Sequence, residues 1–257
     1  LVLKHLLIRF GRSLRKEQAH HSHLNIPQLS EKSSAQHLIV PNSDELAGHH
    51  DMIFKQVFNL FSMYHNLNTL TIFPDRLEHN FRVLSECQPG IQVVPVVKSN
   101  AYGHGIKMLA PLLNKYDVPF ICVDSLYEAY ELEKYSYKKD ILIMGYVDPR
   151  DIPRRRNFIY AVSTLEYAQA VVRTYSKIRL HLFVDTGMHR EGISSLDTVY
   201  GRGILIKIKP HIEGIMSHLS TPDHISTSDT QIETFQSFLD KIEDIGIQTL
   251  YQHIAAS

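Results

Sequence analysis

Short apolar runs, separated by longer polar or amphipathic stretches, recur along the chain from about residue 69 onward. Runs of this length, rich in β-branched residues and flanked by polar segments, are typical of strands buried on both faces of a sheet. The pattern predicts seven strands, at residues 93–97, 120–123, 141–144, 158–162, 180–184, 212–216 and 249–254.

Several of the stretches between these strands have the length and amphipathic character of helices. Three of them begin with a capping-box pattern, in which a hydroxyl residue is followed three positions later by Glu. The pairs are Ser125 with Glu128, Ser163 with Glu166, and Thr230 with Glu233. Strand, short loop and capped helix in repetition indicate parallel β/α units.

Seven such units, with no early Gly-x-Gly-x-x-Gly motif, favour a (β/α)8 TIM-type barrel over a doubly wound sheet. The count is one strand short, so the sequence predicts an α/β barrel that is truncated before its eighth strand. Such a barrel would expose two strand edges to solvent. The chain begins with Leu1 rather than Met, and we expect it to be part of a longer protein.

Residues 1–67 differ from this pattern, and we interpret them as an extension that precedes the barrel at residues 68–257. The first sixteen residues are basic and amphipathic, with no acid before Glu17, as in an organellar transit peptide or a surface-binding helix. A helix is predicted near residues 52–64. Five histidines in the extension lack carboxylates or thiolates at ligand spacing, so no metal site is expected; they are His20, His21, His23, His49 and His50.

Composition and charge exclude several classes of protein. With 44% hydrophobic and 21% charged residues the chain is an ordinary globular one. Because 27 basic residues balance 27 acidic ones, no global field attracts nucleic acid or anionic lipid. No apolar run is long enough to span a membrane. Cys87 and Cys122 are expected to be buried, reduced thiols of a cytoplasmic protein, although one disulfide remains an alternative.

Chemistry in such a barrel collects at the carboxyl ends of the strands, and the first strand is followed by Lys98. A lysine at this place is partly desolvated, which lowers its pKa and suits it to Schiff-base formation with an aldehyde. Taken alone, Lys98 favours the simpler interpretation of a solvated lysine at a strand end, followed by a glycine turn.

The residues that follow Lys98 make the prediction more specific. The string Lys-Ser-Asn-Ala-Tyr-Gly-His-Gly at 98–105 closely resembles a motif of the alanine racemase family of fold-type III pyridoxal-phosphate enzymes. Asp-Thr-Gly-Met-His-Arg-Glu-Gly-Ile at 185–193 and Met-Ser-His-Leu at 216–219 resemble further motifs of that family. Residues 120–129 and 75–80 fit as well, so the resemblance covers about residues 69–257.

The resemblance implies a role for each of five residues. Lys98 would carry pyridoxal 5'-phosphate as an internal aldimine and exchange a proton on one face of the substrate α-carbon. Tyr102 and Ser257 would lie at the cofactor phosphate. Arg190 would reach the substrate carboxylate, to which a planar guanidinium is suited, and His218 would lie under the pyridine ring.

Each of these roles has a structural alternative. Tyr102 could be a half-buried tyrosine with an ordinary hydrogen bond. Arg190 could pair with Asp185 and stabilise their loop. His218 could be a hydrogen-bonded histidine of the barrel interior.

The sequence departs from the family in two residues and in extent. Ala256 stands where the family has an asparagine, and Phe183 stands where many relatives have a lysine that positions the arginine. We expect residues 1–257 to lack the eighth strand and the C-terminal β domain of the family. In the family that domain supplies the second proton-transfer residue, a tyrosine, across a homodimer interface.

We therefore expect a pyridoxal-phosphate-dependent racemase that interconverts L- and D-alanine for the bacterial cell wall, with a small amino-acid substrate. Serine as substrate remains open. A non-catalytic pyridoxal-phosphate binder or an inactive remnant is the main alternative, which Ala256 and the missing parts favour. A related amino-acid decarboxylase is disfavoured, because the Ala-Tyr-Gly-His-Gly run is characteristic of the racemases.

Overall fold

The computed structural model describes residues 5–10, 69–86 and 90–255, and for residues 5–10 and 255 it describes the backbone alone. The described strands are β1 (His5–Phe10), β2 (Ile91–Pro95), β3 (Phe120–Val123), β4 (Asp140–Ile143), β5 (Phe158–Val162), β6 (Arg179–Phe183), β7 (Ile212–His218) and β8 (Tyr251–Ala255). The helices are α1 (Pro74–Glu86), α2 (Ile106–Leu113), α3 (Leu126–Lys134), α4 (Leu165–Val172), α5 (Val199–Ile208) and α6 (Ile225–Asp244).

The strands form one sheet that closes into a barrel. Strands β3 to β8 pair in parallel, each with the next along the chain. A parallel bridge between Val96 and Cys122 joins the end of β2 to β3. All seven strands expected from the apolar runs are present within a few residues, and the predicted α/β barrel class is confirmed.

The position between β8 and β2 is occupied by β1, which runs antiparallel to both neighbours. The sequence predicts an extension outside the barrel for these residues, and for His5–Phe10 that prediction is wrong. Without β1 the edges of β8 and β2 would present unpaired N–H and C=O groups. His5–Phe10 pairs with both strands, so the two strand edges that the sequence predicts to be exposed are paired instead. The predicted boundary at residue 67 and the helix near 52–64 lie outside the described residues.

Because β1 is held by its neighbours on both sides, a proline within it should open the barrel. Ile8 is paired with Gln92 of β2 and with His253 of β8. Proline removes the Ile8 N–H and is confined to edge strands, so we expect Ile8→Pro to lower the free energy of unfolding by about 1–3 kcal/mol, the cost of leaving a hydrogen-bond acceptor without its donor. Ile8→Val keeps the N–H and should leave the denaturant midpoint nearly unchanged. Equal midpoints for the two variants would contradict the assignment of β1.

Side chains of the strands alternate between two apolar layers, as the pleat requires. The layer between strands and helices contains Ile121, Ile141, Tyr160 and Leu182, for example. The residues that point into the barrel form a second cluster, composed of Val94, Phe120, Cys122, Leu142, Ile159, Ala161, Phe183, Met216 and Tyr251. The interior is therefore filled, and a ligand of this barrel has to bind at its mouth.

Two of the three predicted helix caps differ from expectation. Ser125 and Glu128 form the predicted capping box at α3. At α4 the cap is Thr164, whose hydroxyl accepts a hydrogen bond from the N–H of Tyr167, rather than Ser163. Thr230 lies inside α6, where its hydroxyl donates to the carbonyl of Ser226. A hydroxyl inside a helix can bond to the preceding turn, so the motif alone does not locate a helix start.

The amino-terminal end of the barrel is held by a charged cluster around Arg179, at the start of β6. Its guanidinium donates to both carboxylate oxygens of Glu213 at 2.5 and 2.7 Å. It also forms a short hydrogen bond with the carboxylate of Asp140, at the start of β4. Glu213 is the extra residue of a β-bulge on β7, since Leu180 pairs with Ile212 but His181 pairs with Gly214. One cation thus joins three strands.

Two histidines lie within the barrel, fully buried and in contact with each other. Nδ1 of His181 and Nε2 of His253 are 2.8 Å apart. Nε2 of His181 and Nδ1 of His253 are buried without a hydrogen-bond partner in the structure. The rings of Phe120 and Tyr251 pack around His181 at centroid distances of 5.3 and 5.7 Å. The surroundings are therefore apolar and favour neutral imidazoles.

The described residues contain one of the two cysteines and also bear on the predictions about metal clusters and membrane-spanning helices. Cys122 is buried and free, and burial strongly raises the pKa of its thiol; Cys87 and the histidines of the extension lie outside the described residues. Within residues 5–10, 69–86 and 90–255 no three metal-ligating side chains come together. In the same part of the chain no helix has the length and apolar character needed to cross a membrane.

Candidate active site at the carboxyl end of the barrel

The alternation of side chains inside the barrel continues past the strand ends and brings polar residues to the mouth. Lys98 follows Val96 by two positions, Asp124 follows Cys122 in the same way, and Asp185 follows Phe183. His218 closes β7 two residues after Met216. Four of the inward positions thus change from apolar to polar at one end of the barrel, which is where barrel enzymes place their chemistry.

Lys98 and Asp124 face each other at this mouth. The Lys98 Nζ lies 3.7 Å from the Asp124 Oδ1, and the lysine side chain is 35% exposed. An amine in this position is accessible to a small aldehyde that enters from solvent. Asp124 was not among the site residues expected from sequence. The alternation along β3 is the signal that would have found it.

A left-handed turn follows Lys98. Ser99, Asn100, Ala101 and Tyr102 all have φ between 53° and 54°. Left-handed backbone at a residue with a side chain costs about 1–2 kcal/mol, so four in succession must be held by their surroundings. The side-chain Oδ1 of Asn100 contributes by accepting from the N–H of Ile106, which begins α2.

Tyr102 ends this turn near Lys98. Burial raises the pKa of its hydroxyl, and the carboxylate of Asp124 raises it further. The hydroxyl is therefore a neutral donor at physiological pH. The structure places Tyr102 on the same loop as Lys98, as the motif requires.

The loop after β6 is organised by Asp185. Its Oδ1 accepts three backbone N–H groups, from Gly187, Met188 and His189, each at 3.0 Å. Burial alone would raise the pKa of this carboxyl, but these N–H groups and His189 hold it below its usual value. Gly192 closes the loop with φ +126°, and a Cβ there would lie 2.6 Å from the Asp185 N.

Arg190 lies on this loop but does not pair with Asp185. Its Nη2 and Nε donate to Oε1 of Glu191 at 3.0 and 3.2 Å, and both side chains are exposed. The Asp185–Arg190 pair considered from sequence is absent, because Asp185 uses its Oδ1 for the loop backbone and its Oδ2 for His189, 3.2 Å away. Phe183, at the position of the family's lysine, fills the barrel interior and offers Arg190 no polar contact.

His218 lies at the end of β7, beside a buried polar network. Ser217 donates to the Val184 carbonyl at 2.8 Å and contacts the hydroxyl of Thr186 at 2.9 Å. The amide of Gln231, on α6, donates to Thr186 and to the His218 carbonyl, each at 3.3 Å. The loops after β6 and β7 are thereby joined through a residue that the sequence motifs did not identify. Ser257 and Ala256 lie outside the described residues.

Comparisons with known proteins identify the family of this chain. The model of the N-terminal domain of alanine racemase matches residues 72–257. An amino-acid racemase of Enterococcus faecalis is 35% identical over 189 residues, which cover 70% of this chain and 27% of that protein. An alanine racemase of Streptococcus suis (strain 98HAH33) is 32% identical over 185 residues, which cover 68% of this chain and 50% of that protein.

A solved structure of the same kind supports the fold. The crystal structure of alanine racemase from Bacillus anthracis with bound L-Ala-P superposes with a TM-score of 0.61 at 26% identity, covering 71% of this chain and 50% of that one. The chain spans between about a quarter and a half of the length of these relatives. The resemblance read from the motifs is confirmed, and the chain belongs to the family defined by the N-terminal domain of alanine racemase.

Proposed function

We propose that this chain is the cofactor-binding part of a pyridoxal-phosphate-dependent racemase that interconverts L- and D-alanine. The observation that supports the proposal most directly is the position of Lys98. Its amine lies at the barrel mouth, 3.7 Å from the Asp124 carboxylate and open to solvent, above an interior that apolar side chains fill. When bound, pyridoxal phosphate supplies an electron sink that acidifies the α-proton of an amino acid.

The groups at the mouth fit such a cofactor. The Lys98 amine can condense with an aldehyde and, once a substrate amine has displaced it, would be free to act as base and acid at one face of the substrate α-carbon. The Tyr102 hydroxyl, kept neutral by burial, can donate to a phosphate oxygen. The His218 ring is proposed to lie beside the pyridine. Ser257 is proposed to donate to the phosphate, as its position after β8 in the family motif implies.

Arg190 is proposed to orient the substrate. Its guanidinium can bind a carboxylate in a bidentate manner. In the structure it is paired with Glu191 at 3.0 Å, and an exposed pair of this kind is weak enough to exchange for a substrate. The substrate carboxylate would replace that of Glu191.

Further properties are proposed from the resemblance to the family rather than from the described residues. The whole protein is proposed to be a cytoplasmic homodimer that supplies D-alanine. Serine is a second candidate substrate, since a serine/alanine racemase of Enterococcus gallinarum is 30% identical over 70% of this chain.

Trapping of the cofactor on its lysine tests the proposal. The purified chain is incubated with pyridoxal phosphate, reduced with borohydride and digested for peptide mapping. We expect the phosphopyridoxyl group on Lys98 and its loss in Lys98→Ala. Lys107, exposed on α2, provides the matched control, because Lys107→Ala should leave the label on Lys98. Label distributed over surface lysines of a folded chain would contradict the proposal.

Binding of pyridoxal phosphate without racemisation is the second candidate function. The observation that favours it is the bond of Arg190 to Glu191, because a substrate carboxylate has to displace Glu191 before Arg190 can bind it. Exchange of the alanine α-proton in deuterated water separates the two candidates. Labelling of Lys98 without α-proton exchange would favour the binding protein.

A further inference from the structure

The carboxylate of Glu128 joins two neighbouring loops at the barrel mouth. Its Oε2 accepts from the N–H groups of Asp124 and Ser125 at 2.9 and 3.2 Å, in the loop after β3. Its Oε1 accepts from the N–H of Asn100 at 3.3 Å, in the turn after Lys98. Glu128 is only 9% exposed. A capping box requires one bond from the carboxylate to the cap residue, so the bonds to Asn100 and Asp124 go beyond that role.

The bond to Asn100 reaches the centre of the left-handed turn. Lys98 precedes this turn and Tyr102 ends it. The side-chain Oδ1 of Asn100 accepts from the N–H of Ile106, which begins α2. The turn is therefore held between α2 and Glu128. A strained backbone keeps its conformation only where its neighbours enforce it.

The charge of Glu128 suits this task. A carboxylate has two acceptor oxygens, and hydrogen bonds to a charged acceptor are stronger than neutral ones. Both oxygens are used, one for each loop. Glutamine has the same shape, but its amide nitrogen cannot accept a hydrogen bond, so it can serve only one of the two loops.

We propose that Glu128 is a positioning residue for Lys98, which fixes the left-handed turn to the loop after β3 and thereby sets the place of the Lys98 amine beside Asp124. The inference rests on the proposed function, because it takes Lys98 as the amine that binds the cofactor. Glu128 itself does not touch the reacting atoms in this scheme.

Variants of the two capping-box residues separate positioning from helix stability. Ser125→Ala removes the hydroxyl that accepts from the Glu128 N–H at 3.2 Å but keeps the carboxylate. Glu128→Ala removes the acceptors for the N–H groups of both loops, whereas Glu128→Gln removes the acceptor for one loop only. At limiting pyridoxal phosphate we expect Glu128→Ala to lower the ratio of Lys98 to Lys107 labelling about tenfold, and Glu128→Gln to lower it less. Ser125→Ala should retain the wild-type ratio.

Hydrogen exchange provides a readout that needs no cofactor. Glu128→Ala should accelerate exchange of the amides of Asn100 and Asp124, whereas Ser125→Ala should not. Equal labelling ratios in Glu128→Ala and Ser125→Ala would overturn the positioning role, while preferential labelling of wild-type Lys98 would still support the proposed function. Unchanged exchange at Asn100 in Glu128→Ala would also overturn it, whether or not Lys98 binds the cofactor.

Discussion

Lowering the pH from 6.5 to 4.5 should reduce the free energy of unfolding by up to about 5 kcal/mol, through the two buried histidines. Burial, the neighbouring His253 and Arg179 lower the pKa of His181 well below its ordinary value. Burial lowers the pKa of His253 to about 3. Below pH 6.5 the unfolded chain therefore takes up two protons that the folded barrel does not. Each group contributes about 1.4 kcal/mol per pH unit.

The loss of stability has a defined direction and a defined pH range. Stability is complete above about pH 6.5, the unfolded pKa of histidine, and declines as the pH falls toward the folded values. Asp185 and Asp197, whose pKa values are lowered, lose their stabilising contribution only below the ordinary carboxyl range near pH 4. Urea titrations at several pH values measure the slope directly.

Two variants test the assignment to the buried pair. His253→Gln removes one titrating group, and the slope between pH 6.5 and 4.5 should fall to about half. His79→Gln changes an exposed histidine of α1 and should leave the slope unchanged. A wild-type slope near zero in this window would show that His181 and His253 are accessible to protons in the folded chain.

Replacement of Arg179 by methionine should lower the free energy of unfolding by about 2–4 kcal/mol, because it leaves two carboxylates without their cation. Asp140 and Glu213 both bond to the Arg179 guanidinium, and all three side chains are less than a third exposed. Methionine retains most of the apolar stem. Without their cation, the carboxylates of Asp140 and Glu213, near the starts of β4 and β7, would repel each other and disturb the bulge at Glu213.

Arg150 offers a matched control. It also bonds to an aspartate, Asp148, at 2.6 Å, but its side chain is 87% exposed. Exposed ion pairs contribute little to stability, so Arg150→Met should leave the denaturant midpoint unchanged. Similar midpoints for Arg179→Met and Arg150→Met would show that the Arg179 cluster is as solvated as a surface pair.

The sequence was sufficient for the repeated units and for the family. Strand positions could be read from the apolar runs, because a strand covered by helices on one side and by the barrel interior on the other must be apolar on both faces. Lys98 could be recognised because the motif that identifies it is contained within residues 98–105. The same holds for the capping box of Ser125 and Glu128, whose partners are three residues apart.

Contacts between distant segments were decided by the tertiary structure. The pairing of β1 with β2 and β8 joins His5 to Pro95 and Ile8 to His253, and no local pattern specifies such partners. The pair of His181 and His253 is separated by 72 residues. Thr164 rather than Ser163 caps α4 because it is the residue with extended backbone directly before Leu165, where the helix begins.

The site shows the same division. The sequence by itself determined which residues are proposed to carry the chemistry, namely Lys98, Arg190 and His218, because the motifs that contain them depend on side chains and short spacings. Only the tertiary structure placed Asp124 3.7 Å from Lys98 and turned Glu128 toward Asn100 as well as its own helix. The physical reason is that a barrel closes by backbone hydrogen bonds between distant strands, and this closure sets which loops become neighbours.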